Sequence, residues 1–477
     1  MLSVSIKFIS SFFRMAIKHS KIAISIFKES KEKKSDVVYN ARTRDFDFIL
    51  IFLHFLNYVT MTFKFIHCSD LHIDSPFKGF SSAENSLVEA LRKSTYQAFQ
   101  NIVELALKEK VEAVLIAGDI YDGAEKSLEA QLKFRHGLQK LSDKGIDTFI
   151  VHGNHDPLDS WSASLEWPER VHVFSGTQME CLPVERNGVV KAYVHGISYP
   201  KRDVTENLAK KFSRGNGEGF AIGLLHSNVG HQSGHDNYAP CSMDDLIAAK
   251  MDYWALGHIH RFRVLRESNP AVVYSGNSQA RHMRESGEKG CCLVTLNENI
   301  VPLIQFIPID AVRYIQGDVD LSGTITLEEV IHVVRSRCEY FLDQTDQKDV
   351  FINLSLNGRT QVHSELQRGD AIKELQGEIR TYFKGRTPSV WPSLKLNTAG
   401  MYDIESLREG KDFIADLINL FEVEEKRESF ADLKEALKMV FETWQGKKYL
   451  NSLSDEEIKD VLVQAKSLCL DKLLKSN

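Results

Sequence analysis

The run Phe63-Lys64-Phe65-Ile66-His67-Cys68-Ser69 reads as a strand and empties directly into Asp70-Leu71-His72, so a carboxylate and an imidazole begin where the strand ends. The same design recurs downstream. Ala113 to Ala117 leads into GDIYD with Asp119 and Asp122, and Asp147 to His152 leads into GNHD with Asn154 and His155. Phe220 to Leu225 leads into His226, and Asp252 to Leu256 into GHIH with His258 and His260. Helical stretches fit between the early strands, Ala83 to Glu109 and Ser127 to Leu141; Ser242 to Lys250 then opens with Ser242 and Asp245 in capping-box spacing. Strands flanked by helices predict a layered α/β architecture whose ligand site lies beyond the strand ends. Lys191 to Gly196, Val272 to Ser275, Cys291 to Leu296 and Val301 to Ile307 are further strands. The later ones arrive without helices between them, so part of the fold is expected to be mixed or antiparallel.

Five separate strand ends thus offer carboxylate, imidazole or amide oxygen. That mixture suits a first-row divalent metal better than an all-oxygen calcium site or a thiolate zinc site. Asp70, His72, Asp119, Asn154, His226, His258 and His260 are too many ligands for one ion and right for two, provided one carboxylate bridges. Two divalent cations against two aspartates leave a charge of about +2, enough to neutralise one phosphodiester and one metal-bound hydroxide. Each motif alone has a plainer explanation: DxH recurs by chance, GDxxD serves as a turn with a helix cap, and a buried His is usually a satisfied core residue. The ordered set at strand-sized spacing does not.

On CSDLHIDSPF (68–77), AGDIYDG, VHGNHDP, LLHSNVG, NYAPCS, DYWALGHIH (252–260) and SGNSQARHMRESGEKGC (275–291), the chain resembles the calcineurin-like metallophosphoesterase superfamily. Within it the chain is most similar to SbcD-type DNA repair exonucleases of the YhaO-like bacterial branch. The resemblance covers about Met61 to Asp310 with high specificity and the remainder loosely. It implies an α/β (α+β) fold, a four-layer αββα metallophosphoesterase sandwich with a small α+β cap and a helical C-terminal region. It also implies two divalent metal ions, manganese in the first place. Asp70, His72, Asp119 and His260 would hold one ion, and Asp119, Asn154, His226 and His258 the other, with Asp119 bridging. His155 would be the general acid and Asp122 would orient it. Archaeal and eukaryotic relatives are expected to have histidine where Asp122 stands, so this chain departs towards a phosphatase-like arrangement.

Arg281 and His282 are candidate phosphate contacts, with Arg261, Arg263, Arg266 and Arg284 of lesser weight and a solvated loop of ordinary surface charge as the alternative. A second basic and aromatic mix, Arg380, Tyr382, Phe383, Lys384, Arg386 and Trp391, lies in the unit that resembles the capping domain of these nucleases, and a packed helix end explains it equally well. The implied partners are DNA, an SMC-type coiled-coil ATPase and a second copy of the chain in a homodimer. The expected reaction is exonucleolytic hydrolysis of DNA ends by a metal-bound hydroxide, with His155 protonating the departing 3′ oxygen. A metallophosphatase or small-molecule phosphodiesterase is the alternative within the fold. A scaffold without catalysis is the alternative outside the enzyme class, disfavoured because all seven ligands and His155 are present.

The 477 residues carry 59 Lys and Arg against 65 Asp and Glu, a net −6 that excludes a simple polycation coating nucleic acid. With 43% hydrophobic residues the composition is globular, which excludes a disordered chain. Residues 1–60 differ: they hold no Gly, no Pro and eight of the 27 Phe, and carry +5, leaving −11 for the other 417. Their most apolar run, Phe46 to Val59, is shorter than the ~20 residues of a bilayer span, so no stable membrane span is expected. This leader is expected to be an upstream extension from a misplaced start, with Met61 as the working start; a peripheral membrane arm and a targeting segment are the alternatives. After it come a catalytic domain over 61–309 and a small α+β cap over 310–400. In the cap, a strand near Val312, a helix from Leu327 to Phe341, a strand from Val350 to Leu356 and a helix from Asp370 to Lys384 are expected. Residues 401–477 read as a helical, partner-binding region with apolar spacing at Phe413, Leu417, Leu420, Phe421, Leu433, Leu437 and Phe441. Seven scattered cysteines without a CxxC fit a reducing cytoplasm. Finally, DVDLSGTITLEE (Asp318 to Glu329) matches an EF-hand loop, but Pro302 and Pro308 upstream preclude an entering helix. The expected structure there is a strand, a turn at Ser322-Gly323 and a helix capped by Thr326.

Overall fold

The computed structural model describes residues 61–75, 85–122, 127–160, 163, 165–230, 238–297, 300–346, 348–427, 429–441 and 453–474. The expectations for residues 1–60 lie outside them. Fifteen strands follow one another along the described residues: β1 (Thr62–Cys68), β2 (Ala113–Ala117), β3 (Asp147–Val151), β4 (Val171–Val173), β5 (Glu180–Arg186), β6 (Val189–Gly196), β7 (Phe220–His226), β8 (Tyr253–Gly257), β9 (Arg263–Arg266), β10 (Ala271–Tyr274), β11 (Gly290–Asn297), β12 (Ile300–Pro308), β13 (Val312–Asp320), β14 (Asp349–Thr360) and β15 (Val390–Gly400). Helix α1 (Asn85–Glu109) joins β1 to β2, and α2 (Leu128–Ser142) joins β2 to β3.

Two six-stranded sheets face each other. The first has the order β12-β11-β1-β2-β3-β4, with β1 to β4 parallel and β11 and β12 antiparallel beyond β1. The second has the order β5-β6-β7-β8-β10-β9, parallel from β6 to β10 and antiparallel at both edges. The two-residue period of β1 divides its side chains between layers. Phe65 points into the seam between the sheets, its ring 5.2 Å from that of Tyr253, while Ile66 and Cys68 face the helices and pack with Phe99, Ile102, Phe134 and Leu138. Helix α2 starts where the Ser127 hydroxyl accepts from Ala130 N, and it buries Ala130, Phe134, Leu138 and Leu141 along one stripe. The outer layer on the second sheet is thin. A six-residue helix, α3 (Met243–Ala248), and a 3-10 turn at Leu208–Lys211 cover Trp254, Tyr199 and Leu256 there. Ser242 and Asp245 form the expected capping box of α3. The result is the expected αββα sandwich.

Strands β13, β14 and β15 form a separate three-stranded sheet, parallel throughout. Helices α4 (Leu327–Asp343), α5 (His363–Leu366) and α6 (Ala371–Phe383) connect its strands. Val334, Cys338, Ile379 and Phe383 of the two long helices share a core with Ile352, Leu354 and Leu394. The DVDLSGTITLEE segment is strand, turn and helix: Asp318 and Asp320 lie on β13, Gly323 turns at φ +81°, and Thr326 caps α4. Asp318 accepts from Asn357 Nδ2 at 2.9 Å and Asp320 from Ser322 N at 2.9 Å, so each carboxylate is bonded within the protein. Beyond β15 the chain is helical, as α7 (Ile404–Arg408), α8 (Phe413–Glu425), α9 (Ala431–Phe441) and α10 (Asp455–Leu474). The apolar spacing assigned to α8 is corrected in one respect: Ala415 and Ile418 are its buried residues, whereas Phe413 is 66% exposed and Leu420 also faces outward. Among the described residues no helix is long and apolar enough to cross a membrane.

Candidate metal centre

All the expected ligands follow the C-terminal ends of parallel strands, from both sheets: Asp70 and His72 after β1, Asp119 after β2, Asn154 after β3, His226 closing β7, and His258 and His260 after β8. The segment after β1 runs beside the segment after β2, with Asp70 N donating to Gly118 O (3.0 Å), His72 N to Asp119 O (3.1 Å) and Ile73 N to Ile120 O (2.8 Å). Asp70, His72, Asp119 and His258 have φ of +50°, +44°, +52° and +98°, a left-handed conformation that costs ~1–3 kcal/mol per residue. Two motif glycines make room for the candidate ligands. A Cβ on Gly153 would lie 2.2 Å from Asp119 Oδ1, and one on Gly257 would lie 1.9 Å from Ala117 O and 2.8 Å from His226 Nδ1.

Three clusters of candidate ligand atoms result: Asp70, His72 and His260; Asp70, Asp119 and His226; and His72, Asp122 and His155. In the first, His72 Nε2 lies 3.3 Å from His260 Nε2, which is 3.6 Å from Asp70 Oδ1. In the second, His226 Nε2 is 3.0 Å from Asn154 Oδ1 and 3.4 Å from Asp119 Oδ2, while its Nδ1 is fixed by Ala117 O at 2.8 Å. His258 belongs to none of these clusters; its ring centre is 5.3 Å from that of His226, and its backbone N donates to Asp70 Oδ2 at 3.1 Å. Asp70, His72, Asp119, Asn154, His226 and His258 are all buried. Burial, with Arg281 and three other imidazoles nearby, holds His72 well below the usual histidine range, and burial raises Asp119.

His155 stands at the rim, its side chain 32% exposed, with Nδ1 2.6 Å from Asp122 Oδ1 and its backbone N on Asp119 Oδ1. Burial works against its charged form, but the hydrogen bond to Asp122 and the charges of Asp119 and Asp122 outweigh burial and raise its pKa. Asp122 is fixed in turn: its Oδ2 accepts from Ser75 Oγ (2.8 Å) and pairs with the Arg281 guanidinium. Arg281 also reaches Ser75 Oγ and His72 Nε2, each at 3.2 Å. His282 is not brought to the ligands; it is 56% exposed and its ring is 3.6 Å from Glu285. Arg263 and Arg266 lie on β9, an edge strand, with Arg266 bonded to its own turn at Ser268 O. In the small unit Phe383 is core, and Arg386 stacks 4.1 Å from the Tyr382 ring centre beside Glu339.

Sequence reasoning missed Ser75 and Glu285. Ser75 stands three residues after His72, a spacing that carries no chemical signature of its own. Glu285 Oε1 sits 2.5 Å from His260 Nδ1, across 25 residues of chain. Burial opposes its ionisation, but the hydrogen bond to His260 and the charge on that ring bring its pKa down to about 2.

Comparison with known proteins agrees with this geometry. Residues 63–262 match the calcineurin-like phosphoesterase family, and residues 314–399 match the middle domain of metallophosphoesterase YhaO. The metallophosphoesterase YhaO of Bacillus subtilis is 42% identical over 230 residues, which is 48% of this chain and 56% of that protein, so the match spans little more than half of the relative's length. The DNA double-strand break repair protein Mre11 of Sulfurisphaera tokodaii is 25% identical over 67% of this chain and 78% of its own. Mre11 of Thermoplasma acidophilum is 24% identical over 74% and 91%. With the sandwich, the candidate ligands at the strand ends and these matches in agreement, residues 63–262 are a calcineurin-like metallophosphoesterase domain and residues 314–399 a middle domain of the YhaO-like branch.

Proposed function

We propose that the chain is a dinuclear metal-dependent phosphodiesterase that hydrolyses DNA ends as a repair exonuclease. The observation that carries the reading is the pair of adjoining clusters sharing Asp70, with His155 held by Asp122 at their rim. The residues fit two cations. His72 and His260 turn their Nε2 atoms on each other at 3.3 Å, an approach that a cation shared between the two rings would relieve. Ligands around an ion with bonds of ~2.0–2.2 Å sit about 3 Å apart, close to the spacings of these donor pairs. The mixed oxygen and nitrogen set suits a first-row divalent metal, and manganese is the ion that the family resemblance implies.

Asp70, His72, Asp119 and His260 would hold one ion, and Asp119, Asn154, His226 and His258 the other. When bound, the ions would draw charge from the phosphoryl oxygens and lower the pKa of a coordinated water. The chain's own residues supply the rest. His155 gives its Nε2 proton to the departing 3′ oxygen while Asp122 keeps the ring oriented through Nδ1. Arg281 faces the same space and would grip a phosphate, with His282 further out. A phosphomonoesterase is the second reading, favoured by the His155–Asp122 pair, which is phosphatase-like by resemblance.

Residues 61–309 would be the catalytic domain, 310–400 the cap, and 401–477 the docking region for an SMC-type coiled-coil ATPase in a homodimeric, cytoplasmic assembly. Exposed Phe413, Leu420, Val423 and Met439 support the docking role, and seven free thiols support a reducing compartment. An end-labelled linear duplex with Mn2+ tests the activity. Release of mononucleotides, abolished by Asn154→Ala and His155→Ala, is expected. Cleavage of a chromogenic phosphate monoester alone would sink the nuclease reading, and turnover that survives both substitutions would sink the site assignment.

A further inference from the structure

Residues 276–289 form a strap between the strand-end site and the three-stranded sheet. On the sheet side, Gln279 Oε1 accepts from Ala311 N at 2.9 Å and its Nε2 donates to Val312 O at 2.7 Å, while Gly287 N donates to Tyr314 O at 2.8 Å. Gln316 Nε2 donates to Met283 O at 2.7 Å. On the site side, everything converges on one carboxylate. Glu285 is only 9% exposed; its Oε1 is 2.5 Å from His260 Nδ1, and its Oε2 accepts from Arg281 N at 2.7 Å and Asn277 Nδ2 at 3.0 Å.

A carboxylate accepts the Nδ1 hydrogen bond and so fixes the ring orientation, with Nε2 turned towards Asp70 and His72. The other half of the centre is built differently, because His226 Nδ1 is held by a neutral backbone carbonyl. The same carboxylate also places Arg281, whose guanidinium touches Asp122 and His72.

We propose that Glu285 is a positioning residue, one carboxylate that fixes both the ligating orientation of His260 and the placement of Arg281. This rests on the dinuclear reading above. The test is calorimetric titration of Mn2+ into metal-stripped wild type, Glu285→Gln, Glu285→Ala and Glu285→Asp, with melting of each stripped protein alongside. Wild type is expected to show two uptake events. In Glu285→Gln and Glu285→Ala one event weakens by ~10–100-fold. The other stays within about twofold, since His226 relies on a carbonyl. Glu285→Asp, which keeps the charge, recovers part of the loss. Two events with unchanged affinities in both Gln and Ala variants would overturn the role of Glu285 alone. Equal weakening of both events with a lowered midpoint would also overturn it, as plain loosening of the loop. A wild type that takes up no Mn2+ would overturn the dinuclear reading and the role of Glu285 with it.

Discussion

Asp122→Asn removes a charge and almost no volume, which makes it the sharpest probe of how protonation is organised in this site. In the wild type Asp122 Oδ1 is 2.6 Å from His155 Nδ1, while Oδ2 holds Ser75 Oγ and Arg281. An Asn oxygen can still accept from Nδ1, so the ring keeps its place and loses the charge behind it. A hydrogen bond to a charged group contributes ~1.5–3 kcal/mol, equivalent to about 10- to 150-fold in rate if that interaction matters in the transition state. His155 acts as an acid only when protonated. Its pKa is raised, with the Asp122 bond and the Asp119 and Asp122 charges overcoming burial, so the substitution moves the alkaline limb of the pH profile to lower pH. The assay is kcat/KM against pH on two diesters, one leaving as a sugar alkoxide and one as a nitrophenolate that needs no proton. The alkoxide substrate is expected to lose about 10- to 150-fold and the nitrophenyl substrate much less. An equal loss on both would refute the assignment of His155 as general acid. Stability supplies an independent check in the metal-free protein. The raised His155 contributes below about pH 6.5 and fades as pH rises through its folded value; the depressed Asp122 contributes above about pH 3.9 and fades as pH falls. The melting difference between wild type and Asp122→Asn is therefore largest between these limits and shrinks in alkali.

Gly153→Ala would put a methyl 2.2 Å from Asp119 Oδ1 and 2.9 Å from the His226 ring. Its overpacking is expected to cost ~1–3 kcal/mol in denaturant unfolding. Mn2+ uptake should also weaken, and unchanged values would show that the loop gives way freely. Asp310 is buried and takes Arg313 at 2.9 Å through Nη2 and Lys348 at 2.9 Å. Asp310→Ala leaves two cations without their shared partner, with an expected loss of ~3–5 kcal/mol, and a loss below about 1 kcal/mol would refute that account. Calcium added to the full chain should show no saturable uptake that Asp318→Ala abolishes, because Asp318 and Asp320 are already bonded within the protein.

The strands that carry the site were legible because each is a short apolar run with a chemical motif at its end; β2 was read to the residue and β1 to within one. Four edge strands, β4, β5, β9 and β15, were not, whereas the edges β12 and β13 were. Val171–Val173 is too short to show a pattern, and Arg263–Arg266 alternates little and is mostly exposed. Val390–Gly400 contains Pro392, which argues against a strand until β15 is seen to be an edge. The residues of the first two candidate clusters could be picked out from type and order, since every member sits at a strand end. Glu285 was not, because its relation to His260 exists only once β8 and β10 lie side by side and the chain beyond β10 folds back. The exposed Phe413 shows the same limit: spacing locates an apolar stripe on a helix, and only tertiary packing decides which part of it is covered.

The candidate ligands come from opposite leaves of the sandwich, with Asp70, His72, Asp119 and Asn154 on the first sheet and His226, His258 and His260 on the second. Ions held between them would work as a clasp across the seam as well as a reaction centre. A ligand bound only by the folded form at a hundred times its Kd adds ~2.7 kcal/mol to stability. Chelation would then open the two leaves at their catalytic edge first, and the heat resistance of the protein would report metal occupancy even where no substrate is known.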